Sequence, residues 1–282
     1  MLADARAFHD QLALSYNGTG PADIVVRAAL ACAADGHGVS LRVYEPAPVA
    51  SPARLLWVHG GGFVFGSLES ADSICRRLAT AVPCTVVSVD YRLGPEHTAA
   101  QSRADVDAAW QWMVEQAAGA DPAPLAVGGD SAGATLAALL AHRLRDRHQP
   151  PPHLQLLVYP VTALDESLTA VRGNEPGSLG FPWGVEAWLA GESAASPAVS
   201  PLHGRLDGTG AVHLVCGAED LLADQDARYV QALRAAGVEV TADFVDGMPH
   251  GFFPWDCGVA QSLLAVEDAV ASLRHAFFGT TS

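Results

Sequence analysis

Apolar and polar positions alternate between two periods along this chain, and the change of period marks out its elements. Val39 to Tyr44 alternates in the manner of a half-buried strand, and Pro46 and Pro48 end it. Leu55–Val58, Thr85–Val89, Leu125–Val127, Leu154–Tyr159 and Val212–Cys216 are short, nearly continuous apolar runs, as expected of strands covered on both faces. Val238 to Val245 reads as a last strand. Between these runs the period lengthens. Residues 70–82 predict a helix stopped at Pro83. Val106, Ala109, Trp110, Met113, Val114 and Ala117 form one helical stripe; Leu136, Leu139, Leu140 and Leu144 form another. Residues 224–236 predict a helix closed by Gly237, and Leu263, Val266, Val270, Leu273 and Phe277 share a face of a terminal one. Strands alternating with helices predict an α/β fold with a mainly parallel sheet and helices on both faces. Residues 1–35 fall outside this rhythm and predict two short helices broken at Asn17-Gly18-Thr19-Gly20-Pro21. Residues 162–195 also interrupt it, as an irregular insertion carrying Trp183 and Trp188.

The length, 282 residues, suits a single domain spanning 1–282, with a small cap formed by about 1–35 and 162–195. Composition then narrows the function. Half the residues are apolar, yet no run is as long as a membrane span, and the first residues lack a secretion-signal pattern. The formal charge is −15, dispersed along the chain, and every basic residue is arginine. Such a surface argues against nucleic acid and anionic membranes as partners. The five cysteines are scattered without metal spacing, so neither a metal nor another cofactor is expected, and a cytoplasmic location is.

The chemistry gathers at the strand ends. Gly129-Asp130-Ser131-Ala132-Gly133 lies between a buried strand and a helix, where G-x-S-x-G presents a nucleophilic serine on a sharp turn. His59-Gly60-Gly61-Gly62-Phe63 follows another strand directly. Backbone without side chains lets N–H groups approach a ligand oxygen, as an oxyanion hole demands. His59 itself is expected to brace this loop. A serine nucleophile needs a base, and His250 is the one histidine in the loop after the last strand, His275 lying deep in the final helix. The acid should leave the preceding strand, where both Glu219 and Asp220 qualify. Asp90, Arg92 and Glu96 form a polar block whose charges are expected to pair with one another.

These segments, with Tyr91-Arg92-Leu93-Gly94-Pro95-Glu96-His97, Ser196-Pro197-Ala198-Val199-Ser200-Pro201-Leu202 and His250-Gly251-Phe252, resemble the hormone-sensitive-lipase-like family of α/β-hydrolases, the bacterial carboxylesterases with HGGG upstream of GDSAG. The resemblance runs from about residue 39 to the end. It implies an α/β-hydrolase fold, Ser131 as nucleophile, His250 as base, and the N–H groups of Gly61, Gly62 and Ala132 as the oxyanion hole. The family's acid belongs to an Asp-Pro-Leu segment; Asp220-Leu221-Leu222 stands there, which selects Asp220. After His97, Thr98-Ala99-Ala100-Gln101 replaces the family's proline-rich continuation.

The expected function is hydrolysis of small, uncharged, short-acyl esters through an acyl-enzyme, with a small-molecule ester as partner. A second expectation is a tailoring enzyme that removes or eliminates an acyl group from a natural product with the same triad. A third is a non-catalytic receptor on the same fold. Phe63, Trp183, Trp188 and Phe252 are expected to line the substrate pocket, the tryptophans from a lid over Ser131; packing beneath the insertion is the competing expectation for both.

Overall fold

The computed structural model describes residues 2–46, 51–117, 123–172 and 182–279. Eight strands among them form one sheet in the order β1-β2-β4-β3-β5-β6-β7-β8. They are β1 (Ile24–Cys32), β2 (Gly38–Pro46), β3 (Arg54–Val58), β4 (Thr85–Val89), β5 (Leu125–Asp130), β6 (Leu154–Val158), β7 (Ala211–Gly217) and β8 (Val240–Val245). From β4 to β8 each neighbouring pair is parallel, while β2 runs against both β1 and β4. The helices are α1 (Leu2–Asn17), α2 (Asp72–Ala81), α3 (Ala99–Gln116), α4 (Ala132–Asp146), α5 (Leu164–Arg172), α6 (Pro182–Leu189), α7 (Ala223–Ala235) and α8 (Ala260–Phe278).

Both faces of the sheet are covered. α2 and α3 each pack on β4. Arg274 of α8 reaches the carbonyl of Ala81 at the end of α2, and Arg143 of α4 pairs with Asp107 of α3, so the helices join in pairs. Leu55, Leu56, Trp57, Val58 and the whole of β4 are consequently buried, which is why those segments are apolar at every position but Thr85 and Ser88.

Three expectations give way. Residues 1–35 hold one helix and then β1, rather than two helices outside the sheet. The Asp35-Gly36 turn, with Gly36 at φ +83°, closes β1 onto β2 as a hairpin; Asp-Gly is a strong hairpin signal, masked by the alanines of an edge strand. Residues 162–195 are not simply irregular, since α5 and α6 lie in them; 173–181 fall outside the described residues. The polar block does not pair internally either. Arg92 forms a bidentate bond with the fully buried Asp105 and also reaches Asp35, while Glu96 pairs with Arg6 of α1. The departure at Thr98–Gln101 has a local cause. Thr98 accepts from the Gln101 N–H, and the Gln101 side chain accepts from the Thr98 N–H, a capping box that starts α3.

Candidate active site

Parallel strands deliver their following loops to one edge of the sheet, and the chemistry collects at that edge. Ser131 sits between β5 and α4 at φ 52° and ψ −122°, a conformation costly for a residue with a Cβ. Its N–H donates to the carbonyl of Val158, which ties the turn to β6. Gly133 is required by close approach: a Cβ there would overlap the carbonyls of Val58 and His59. The turn therefore stands hard against the end of β3.

From that strand end runs the loop 59–66. Gly61 has φ +118°, outside the reach of side-chain-bearing residues, and its carbonyl accepts from the N–H groups of Val64 (3.1 Å) and Phe65 (2.8 Å). The Gly60 N–H donates to Asp130 Oδ1 at 3.1 Å, which links this loop to the residue before Ser131. Burial pushes the Asp130 carboxyl up to about 6. His59 stacks on Tyr91 at 4.4 Å, its Nδ1 donates to the Gly60 carbonyl at 2.8 Å, and burial lowers its pKa to about 4. A neutral, enclosed imidazole of this kind braces the loop. The N–H groups of Gly61, Gly62 and Ala132 have no hydrogen-bond acceptor among the described residues.

His250 follows β8, and Asp220 follows β7. His250 Nε2 lies 3.0 Å from Ser131 Oγ, and its Nδ1 lies 2.8 Å from Asp220 Oδ2. Asp220 Oδ1 also accepts the Leu222 N–H at 2.9 Å. The Asp220 side chain is wholly buried, whereas Glu219 is exposed and turned away from this chain of contacts. The ring of Tyr159 lies 4.6 Å from that of His250 and supports it. A hydroxyl, an imidazole and a carboxylate joined in that order can move a proton from serine onto histidine.

Ser131, His250, Gly61 and Gly62 open on a cavity of about 500 Å³. Its wall is mostly apolar and comes from Leu12, Ala13 and Tyr16 of α1, from Trp57, Phe65 and Ile74, and from Phe253 and Trp255. The four side chains expected to line it are elsewhere. Trp188 is fully buried, stacks on Phe63 at 4.1 Å, and donates from Nε1 to Ser102 Oγ at 2.8 Å. Phe63 and Phe252 are buried beside the site without lining the cavity, and Trp183 is 53% exposed at the surface. From α6 it is Val185 that reaches the cavity. The correction has a steric cause: α6 settles on the loop through Gly184, against Val64, so Trp188 is driven downward into packing. Sequence reasoning missed Tyr16, Trp57, Phe253 and Trp255. Phe253 adjoins the motif residue Phe252, but the others carried no signal apart from being aromatic.

Comparison with known proteins identifies the fold and its relatives. Residues 55–254 match the family described as the α/β hydrolase fold. The esterase LipI of Mycobacterium tuberculosis is 35% identical over 253 residues, covering 86% of this chain and 79% of that protein. The ethyl acetate hydrolase of Pseudomonas putida is 38% identical over 231 residues, covering 77% of this chain and 72% of its own. Among solved structures, the thermophilic carboxylesterase EstE1 superposes with a TM-score of 0.89 at 31% identity, covering 98% of both chains.

Proposed function

The chain belongs to the α/β-hydrolase fold family, in its hormone-sensitive-lipase-like branch of bacterial carboxylesterases, and on that premise we propose that it hydrolyses short carboxylic esters with Ser131, His250 and Asp220 as its catalytic triad. The observation that carries the reading is the continuous Ser131–His250–Asp220 contact at the edge of an apolar cavity. As Ser131 Oγ attacks the ester carbon, its proton passes to His250 Nε2. The carbonyl oxygen becomes an oxyanion held by the N–H groups of Gly61, Gly62 and Ala132. His250 then gives the proton to the departing alkoxide, leaving an acyl-serine. Water, deprotonated by His250, attacks that acyl carbon, and collapse of the second oxyanion returns the serine and releases the acid. Asp220 keeps the imidazole in the tautomer with its proton on Nδ1 and stabilises the imidazolium.

The apolar wall supports an uncharged substrate, and the ethyl acetate hydrolase activity that names the Pseudomonas relative supports a small one. Cavity size favours a second reading for the alcohol side. A cavity of roughly 150 Å³ already accepts a benzene ring, and this one is about 500 Å³. A short acyl group on a bulky apolar alcohol, as in the removal of an acyl group from a natural product, therefore fits as well. Five free cysteines support a reducing, cytoplasmic setting, and the charge of −15 supports a partner other than nucleic acid. Among the described residues no helix is long and apolar enough to cross a membrane.

Labelling with a fluorophosphonate followed by peptide mapping tests the nucleophile. The expected result is one adduct, on Ser131, with Ser131→Ala folded, unlabelled and without esterase activity. An adduct on any other residue, or undiminished hydrolysis by Ser131→Ala, sinks the assignment. Acetate esters of ethanol and of a naphthol, compared on the wild type, decide between a small and a bulky alcohol.

A further inference from the structure

We infer that Arg6, on the helix walling the cavity, is a positioning residue that sets the direction of the Gly62 N–H in the oxyanion hole. This rests on the oxyanion reading above, and goes beyond it to a residue remote from the motifs. Arg6 uses its whole guanidinium. Nε donates to the carbonyl of Val64 at 2.8 Å, Nη2 donates to that of Gly94 at 2.8 Å, and Nη1 and Nη2 both reach Glu96 at 2.8 Å.

Two peptide planes carry the effect onward. A trans peptide is planar, so its C=O and N–H point in opposite directions. Arg6 holds the Val64 carbonyl; the N–H on the far side of that peptide belongs to Phe65 and donates to the Gly61 carbonyl at 2.8 Å. The N–H on the far side of the Gly61 peptide belongs to Gly62. That N–H has no acceptor among the described residues, and Gly62 lines the cavity. The relay runs from the Arg6 Nε through Val64 O, Phe65 N–H and Gly61 O to Gly62 N–H. Hydrogen bonds in series polarise one another, so the cation at one end also strengthens the donor at the other.

The neighbouring loop is held in parallel. The Gly94 N–H donates to the Phe63 carbonyl at 2.9 Å while Arg6 holds the Gly94 carbonyl, and Trp188 stacks on the Phe63 ring. Arg6 itself is not free to wander, because α1 is fastened along its length. Asp10 accepts from Ser67 Oγ at 2.8 Å, the Asn17 carbonyl from Ser73 Oγ at 2.6 Å, and the Tyr16 carbonyl from the Asp256 N–H at 2.9 Å. α1 is thus a fixed wall that orients the hole, not a lid that closes on it. The Glu96 contact is the separable part: its carboxylate is half-exposed, and an ion pair of that kind contributes little.

The experiment uses the full chain and three variants, Arg6→Ala, Arg6→Lys and Glu96→Gln. It measures kcat and KM on p-nitrophenyl acetate, the inhibition constant of an alkyl trifluoromethyl ketone, and melting temperature. The ketone accepts Ser131 Oγ at its carbonyl carbon, the serine proton going to His250, and its oxyanion then occupies the hole. Arg6→Ala should lower kcat and ketone affinity by the same factor, on the order of 10- to 100-fold, with KM changing far less. Arg6→Lys keeps the charge without the directed fork and should restore only part of this. Glu96→Gln should lower the melting temperature slightly while kcat stays near wild type. Wild-type kcat and ketone affinity in Arg6→Ala, or equal losses of kcat in Arg6→Ala and Glu96→Gln, would overturn the inference. Should Arg6→Ala not fold, Arg6→Lys decides in the same terms: reduced kcat and ketone affinity uphold the inference, and unchanged values overturn it. A wild type that does not bind the ketone overturns the serine-hydrolase reading itself, so the two failures are distinct.

Discussion

Asp220 and Glu219 are neighbours with opposite environments, and the difference arises from where β7 ends. The chain leaves the sheet at Gly217, and the turn carries Asp220 inward, where Oδ2 meets His250 and Oδ1 meets the Leu222 N–H, while Glu219 faces solvent. Asp220→Asn would leave an amide that cannot hold the imidazole proton on Nδ1 in the same way. It should lower kcat on the order of 10⁴-fold, whereas Glu219→Gln should leave kcat close to wild type. Steady-state kinetics on one ester settles the matter, and a larger loss in Glu219→Gln would move the acid to 219. At this scale the sequence was informative wherever a residue type is forced by chemistry. Ser131 and His250 were legible because a strained turn and a strand-end histidine leave marks on the residues around them. Choosing between two adjacent carboxylates depended on resemblance, since either could have followed the strand.

At the scale of the element, α1 and α6 do different things beside the site. α1 supplies the cavity wall through Leu12, Ala13 and Tyr16, while α6 is a buttress that lowers Trp188 onto Phe63. Trp188→Ala would empty a fully enclosed site and remove the donor to the Ser102 hydroxyl, which would keep its own bond to the Arg92 carbonyl. It should cost about 3–5 kcal/mol, read as a large fall in melting temperature and in the urea midpoint. Trp183→Ala, at the surface, should change stability by no more than about 0.5 kcal/mol. Similar small effects from both would show that α6 is not held by Trp188. The hydrophobic pattern could locate the insertion between the Ser131 turn and the loop that carries Asp220. It could not say which tryptophan turns inward, because on so short a helix the buried face is set by what it lands on.

For the whole molecule, two enclosed neutral histidines each contribute to the response to acid. His59 and His142 are both enclosed, and burial lowers each from an ordinary value of 6.5 to about 4. Unfolded, each takes up a proton below about 6.5; folded, neither does until about 4. At these two sites the unfolded state therefore binds more protons across that window, and their contribution to stability falls as pH drops through it. His142 lies away from Ser131 along α4, so His142→Gln separates this effect from catalysis. The variant should lose less stability than wild type between pH 6.5 and 4.5, measured by urea unfolding at each pH; parallel curves would refute the assignment. By itself the sequence determined the alternating α/β order, the two glycine-bearing turns, and the serine and histidine proposed as nucleophile and base, because backbone strain and apolar periodicity are local and leave local marks. Tertiary structure alone decided that residues 24–32 join the sheet as an edge, which aromatic side chains meet the cavity, and that Arg6 reaches the loop around Gly61. Each of those depends on which surfaces distant segments present to one another once the strands have ordered, and spacing along a single chain does not record that.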